Sequence, residues 1–261
     1  MKVLFIGDVF GEPGRRAIKQ LLPPLRKEYG IDFVIANVEN AAHGKGVTPK
    51  IIEELQEAGV GAFTSGNHIW DNREIIPYIK ESKVLIRPAN YLPTNPGRGS
   101  LCFDVYCGVK LVIINLEGQR LMGNGVSSPF QVVDGELEKW KGRADLVIVD
   151  IHAEATSEKR GMGWYLDGRV AAVVGTHTHV PTADEEVLPK GTAYITDIGM
   201  TGPYASVIGL KKEVALEKFV KQMPATFEMA TEDIRLYAVL LELEERTGIA
   251  RKITRVERRL K

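Results

Sequence analysis

Val170-Ala-Ala-Val-Val-Gly-Thr-His-Thr-His179 is an apolar run that stops at a glycine and then presents two histidines. Small and β-branched residues bounded by a turn signal predict a buried strand over residues 170–174. The same punctuation recurs along the chain. Lys2-Val-Leu-Phe-Ile6 ends at Gly7-Asp8, and the apolar residues 32–37 end at Val38-Glu39-Asn40-Ala41-Ala42-His43-Gly44. Residues 61–64 lead into Ser65-Gly66-Asn67-His68, and residues 145–150 lead into Ile151-His152. All five histidines of the chain lie in these motifs. Between the strand patterns, helix patterns fall at about residues 13–28, 48–58, 73–81, 134–140, 157–166 and 211–222, the second opened by Thr48 as N-cap and Pro49 in the first turn. Such alternation predicts an α/β layered domain with helices outside, and sites in these folds form beyond the carboxyl ends of strands.

The remaining text is read more simply. Residues 84–99 are rich in Pro, Asn and Gly and predict a long surface connection. Strands are expected at 101–106 and 110–116, joined at Cys107-Gly108, then at 186–188 and 192–196, with a loop at 199–204. Further strands are expected at 225–229, 235–242 and 249–257. With no internal repeat or linker, one domain over residues 1–261 is expected.

Composition narrows the class. The chain has 261 residues, 44% hydrophobic, with 34 basic and 34 acidic side chains. A net charge of zero argues against a main role in gripping long nucleic acid. No apolar stretch is long enough to span a bilayer, and the N-terminus reads as a first strand, not a signal peptide. Cys102 and Cys107 are the only cysteines; a chain of this size needs no such staple, so a reducing, cytoplasmic setting is expected.

The strand-end residues are ligands for borderline-hard metals. Asp8, Glu39, Asn40 and Asn67 offer oxygen, and His152, His177 and His179 offer nitrogen. If residues 177–179 are extended, the two imidazoles point the same way and suit one metal each or a shared ion. Seven candidates exceed a single tetrahedral zinc, whereas two ions sharing a carboxylate use them and keep positions open for water. Two metals about 3.5–4 Å apart clamp an in-line displacement at phosphorus with a bridging hydroxide as nucleophile. His68, left over at the rim, is then placed to protonate the departing alkoxide.

Gly66-Asn67-His68, Gly175-Thr-His-Thr-His179, the early Asp8 and the lone His152 resemble the calcineurin-like metallophosphoesterase superfamily. Val38-Glu-Asn-Ala-Ala-His-Gly-Lys-Gly46, Arg87-Pro-Ala-Asn90, His152-Ala-Glu-Ala-Thr-Ser-Glu158 and Leu188-Pro-Lys-Gly-Thr-Ala-Tyr-Ile-Thr-Asp197 resemble its YmdB-like branch, from about residue 2 to 204. That resemblance implies an α/β/β/α sandwich of two mixed sheets flanked by helices. It implies one metal on Asp8, Glu39, Asn40 and His179, another on Glu39, Asn67, His152 and His177, and His68 as general acid. It implies iron, with manganese the alternative, and phosphodiester substrates, notably 2′,3′-cyclic nucleotides. Two departures from the broad pattern belong to this branch: Asp8-Val9-Phe10 lacks the histidine of Asp-x-His, and Glu39 replaces the usual bridging aspartate. Ile69 occupies the place of the acid that usually follows Asn-His, so no Asp–His dyad is expected.

Other readings stay in view. A metal-dependent ester or amide hydrolase uses similar ligands, and a nucleotide- or metal-sensing regulator could keep the site only to bind. RNA ends and a homo-oligomer remain open partners, no membrane partner is expected, and the basic stretch 251–261 reads as a solvated strand face. His43 is either a second-layer hydrogen-bonding group or plain loop, and Tyr204 is a candidate to stack on a base.

Overall fold

The structure, a computed structural model, describes residues 1–123, 125–224, 226 and 228–261. Strand alternation explains its layers. In β1 (Lys2–Ile6), Leu4 and Ile6 pack with Ile18, Leu22 and Ile52 in one apolar cluster. Val3 and Phe5 point the other way and meet Ile113, Ile148 and Val174 in a second cluster. Both faces of this strand are therefore covered, as the unbroken apolar run requires.

β1 belongs to a seven-stranded sheet that also contains β2 (Asp8–Val9), β3 (Phe33–Asn37) and β4 (Ala62–Thr64). β1, β3 and β4 are parallel neighbours. The second sheet holds β5 (Ser100–Asp104), β6 (Lys110–Glu117), β7 (Leu146–His152), β8 (Ala172–Thr176), β9 (Glu186–Val187) and β10 (Ala193–Ile195), in the order β5-β6-β7-β8-β10-β9. β11 (Met200–Pro203) returns to the first sheet between β2 and a later strand, and β12 (Ser206–Val207) and β13 (Leu210–Lys211) form a small hairpin. The long antiparallel pair β14 (Ile234–Glu244) and β15 (Ile249–Arg259) completes the first sheet.

Helices α1 (Gly11–Tyr29), α2 (Pro49–Glu57) and α3 (Ile75–Glu81) cover the outer face of the first sheet. α4 (Pro129–Trp140) and α5 (Thr156–Leu166) cover the second through Val133, Met162 and Leu166. α6 (Lys212–Lys221) lies beside the small hairpin with only Ala215 buried. The arrangement is the expected α/β/β/α sandwich of two mixed sheets. Local chemistry sets the helix ends: the Thr48 side chain accepts from the Ile51 N–H, and Gly30 closes α1 with φ 62°.

Three expectations change. Residues 84–99 are a surface connection only in part: 92–98 lie at the surface, but Leu85, Ile86, Arg87 and Asn90 are buried, and Leu85 bridges to Phe63. The buried polar groups there, Arg87 and Asn90, serve internal hydrogen bonds. Residues 199–204 are largely strand, because β11 pairs with both β2 and β14. Helix α4 begins five residues before the expected position, at a Ser128-Pro129 start whose proline suits a first turn. The strand expected at 225–229 lies partly outside the described residues, and Met229 bridges to Leu210.

The basic C-terminal strand is ion-paired along its face: Arg251 meets Glu244, Arg255 meets Glu185 and Arg258 meets Glu28. Cys102 and Cys107 are free. Among the described residues no helix is long and apolar enough to cross a membrane.

Candidate metal centre

The carboxyl ends of β1, β3 and β4 converge with those of β7 and β8. Two clusters form there: Asp8, Glu39 and His179, and Glu39, His152 and His177. Within each, donor atoms lie within 4.8 Å of one another, and Glu39 is common to both. The two amides adjoin them. Asn40 Oδ1 lies 3.2 Å from His179 Nε2, and Asn67 Oδ1 lies 3.2 Å from His152 Nε2. Five far-separated segments thus bring all seven predicted ligands to one place.

Four of the donors are aimed by a neighbour. The Asn40 amide nitrogen donates to the Gly44 carbonyl (3.0 Å), which turns its oxygen toward the cluster. The Asn37 Oδ1 accepts from the Glu39 N–H (3.1 Å) and fixes the turn that presents Glu39. Thr176 Oγ1 donates to Asp150 Oδ1 (2.8 Å), so at its 2.8 Å contact with His152 Nδ1 it accepts a proton. His152 Nε2 is left facing the cluster, the atom a cation could take. His179 Nδ1 donates to the Ile208 carbonyl (3.0 Å), which frees its Nε2 in the same way.

His177 and His179 do not alternate along an extended strand. Their φ angles are 102° and 66°, so each ring serves a different cluster. These conformations are costly for residues with a Cβ and need outside support. Support comes from a buried ion pair. Lys159 Nζ donates to the Thr176 carbonyl and to Asp197 Oδ2, each at 2.7 Å. The same carboxylate oxygen accepts from Thr178 N–H (3.0 Å) and Thr178 Oγ1 (2.8 Å), and Asp197 Oδ1 accepts from Gly199 N–H (2.8 Å). Gly66 meets a different constraint: a Cβ there would strike the His152 ring and the Glu39 carboxylate.

The residues fit a pair of cations. Asp8 Oδ1 is fully buried with no hydrogen-bond donor, an atom that a cation would satisfy. Protonation in the metal-free cluster points the same way. Burial pushes the Asp8 carboxyl up to about 6, against the pull of His179 and His152. Burial also opposes ionisation of Glu39, but the His152 imidazole against it holds that carboxyl down at about 2. Burial resists charge on His152 too, yet Glu39 raises it to about 9, and burial together with the His152 cation presses His177 down to about 3. Without metal, a histidinium supplies the positive charge that this group of carboxylates requires.

His68 lies at the rim of a cavity of about 200 Å³ that also exposes Glu39, Asn40, His177 and His179. Its backbone N–H donates to Glu39 Oε2 (3.2 Å), and its Nδ1 faces Asp71 Oδ2 at 2.8 Å. An Asp–His dyad therefore exists, contrary to expectation: a turn closed by Asp71 N–H to the His68 carbonyl (3.0 Å) brings the acid back onto the ring. Lys45 and Glu154 also line this cavity and were missed from sequence, as were Asn37, Asp150, Thr176, Lys159 and Asp197. Asp150 alone carried a signal, a carboxylate two residues before His152 on the same strand face. His43 is exposed and outside both clusters. Tyr204 is not available to a base: it stacks on Tyr237 with centroids 4.8 Å apart, under the Arg235 guanidinium. A second hollow, of about 340 Å³ near Trp140 and Gly248, lies at the far ends of the strands.

Known proteins are similar to this chain over nearly its whole length. A Bacillus subtilis (strain 168) 2′,3′-cyclic-nucleotide 2′-phosphodiesterase is 45% identical over 98% of this chain and 96% of its own. The crystal structure of a hypothetical protein from Thermus thermophilus superposes with TM-score 0.92 at 45% identity, covering 99% of both chains. A Mycoplasma pneumoniae phosphatase does so with TM-score 0.93 at 39% identity, covering 99% of this chain and 93% of its own. The profile of the YmdB-like protein family matches residues 4–256, nearly the whole chain: the chain belongs to the YmdB-like family.

Proposed function

We propose that this chain is a metal-dependent phosphodiesterase acting on 2′,3′-cyclic nucleotides, as the name of its Bacillus subtilis relative suggests. The observation that carries the reading is the sharing of Glu39 between two clusters, with the His68–Asp71 pair beside them. Asp8, Glu39, Asn40 and His179 would hold one cation, and Glu39, Asn67, His152 and His177 the other. When bound, the two cations neutralise phosphoryl oxygen and generate the nucleophile for in-line displacement. Mixed carboxylate, amide and imidazole donors suit borderline-hard metals; the resemblance to the YmdB-like branch implies iron, with manganese the alternative. Asp71 orients the His68 ring through Nδ1, so Nε2 is the atom that delivers a proton to the departing ribose oxygen. Because ligands come from both sheets, the site requires the whole chain as one domain. RNA ending in a 2′,3′-cyclic phosphate presents the same group as a free nucleotide. The two free cysteines favour a cytoplasmic setting.

The test pairs activity with metal content in one variant. His68→Ala should lose hydrolysis of 2′,3′-cyclic AMP by about 10²–10⁴-fold while keeping wild-type metal content by elemental analysis. Full activity in that variant would remove His68 from the reaction.

A further inference from the structure

A further cavity, of about 260 Å³, adjoins the metal centre and shares Asn67 with it. Its walls are Trp70, Tyr91 and Leu92, with Asn95 and Val126 at the edge. Trp70 and Tyr91 stand 6.4 Å apart between ring centroids and tilt by 43°. Tyr91 is anchored through its hydroxyl, which donates to Glu117 and also contacts the Gly66 carbonyl, so its ring is fixed one residue from Asn67. Leu92 is 65% exposed at the mouth.

The walls are held by the Arg87-Pro-Ala-Asn90 motif, which the metal centre leaves without a role. Arg87 is buried and donates to the carbonyls of Pro88 (2.8 Å), Pro96 (3.2 Å) and Asn95 (3.3 Å), curling residues 91–96 around the opening. Asn90 donates to the carbonyls of Glu117 (2.7 Å) and Ser127 (2.9 Å), and Ser127 N–H returns to Asn90 (3.0 Å), which ties down the wall at Val126. A buried arginine spent on loop carbonyls is costly to keep, and its effect here is a rigid aromatic slot.

We propose that this slot holds the base of the nucleotide whose phosphodiester lies at the metal centre. The inference rests on the phosphodiesterase reading and adds to it a subsite. Every described residue lining the slot is uncharged, which suits a neutral heterocycle and disfavours a second phosphate. Aromatic faces bind bases by stacking whatever their sequence, and Asn95 supplies a polar edge. Position agrees: in a cyclic nucleotide the base lies one ribose away from phosphorus, and here one residue, Asn67, separates the slot from the cluster.

The experiment compares 2′,3′-cyclic AMP with methyl riboside 2′,3′-cyclic phosphate, the same diester without a base. Wild type should favour cyclic AMP in kcat/KM by about tenfold or more. Trp70→Ala should raise KM for cyclic AMP by a similar factor and leave the base-free substrate unchanged, with Trp70→Phe retaining most of the preference. Leu92→Asp, at an exposed position, should act in the same direction and guards against misfolding of the tryptophan variant. Equal kcat/KM for both substrates in wild type overturns the slot and leaves the phosphodiesterase standing. So does an equal loss on both substrates in Leu92→Asp. Hydrolysis of neither by metal-loaded wild type overturns the phosphodiesterase reading, and the slot with it.

Discussion

The two sheets furnish the centre with opposite chemistry. Strand β2 and the turns after β3 and β4 of the seven-stranded sheet bring oxygen: Asp8, Glu39, Asn40 and Asn67. The ends of β7 and β8 in the six-stranded sheet bring nitrogen: His152, His177 and His179. The oxygen side is built from ordinary strand-end turns, steadied by Asn37 and the Gly44 carbonyl. The nitrogen side holds two histidines at positive φ over a buried lysine–aspartate pair. The oxygen donors and His152 are thus placed by strands and the turns beside them, whereas His177 and His179 are placed by strain and a clamp.

The widest break in this comparison is at Glu39, the one donor that belongs to both clusters. Glu39→Gln removes the shared charge, and elemental analysis should find both metals lost and cyclic-nucleotide hydrolysis reduced to background. Asp8→Asn touches only one cluster. Its expected outcome is one metal per chain in place of two, with the His152–His177 cluster still loaded. Loss of both ions from Asp8→Asn would show that the clusters are not separable halves.

This asymmetry also explains what was legible in the sequence. The convergence of the candidate ligands could be read because an apolar strand ending in Asp, Glu-Asn, Asn-His or His-x-His has few other uses, and strand ends converge in layered α/β folds. The layers could be read from periodicity, as in Val3 and Phe5 against Leu4 and Ile6. What escaped depends on contacts between distant segments. Lys159 looks like any helical lysine until Asp197 is placed beside it, 38 residues away. Asp71 reaches His68 through a turn that no local pattern announced, and buried Arg87 lies in text that reads as surface. The positive φ angles of His177 and His179 leave no mark on the sequence, where His-x-His after an apolar run reads as extended backbone.

The clamp offers the next test. Lys159→Met alone strands a buried Asp197 and should cost about 3–5 kcal/mol in urea unfolding. Lys159→Met with Asp197→Asn removes both charges and should recover most of that loss. The double variant should nevertheless bind metal about 10–100-fold more weakly, the scale seen when groups that orient ligands are removed. Wild-type metal affinity in a stably folded double variant would mean that the histidine hairpin holds its strained shape unaided.

The smallest effect is a pH dependence set by where the two sides meet. In the metal-free protein Glu39 raises His152 to about 9, above the ordinary histidine value of 6.5. A folded-state pKa raised in this way stabilises the metal-free fold fully below pH 6.5, and that contribution is lost as pH climbs through 9. Metal has the opposite preference, because it needs His152 neutral and must displace the proton. Between pH 7 and 8 one proton should therefore leave on binding, and affinity should rise about tenfold. Calorimetric titration in buffers of different ionisation enthalpy counts that proton directly. His152→Gln should bind more weakly and show a flatter pH profile over the same interval. An unchanged slope would place the displaced proton on a group other than His152; Asp8, at about 6, is already ionised over this interval and would release a proton on metal binding only at lower pH.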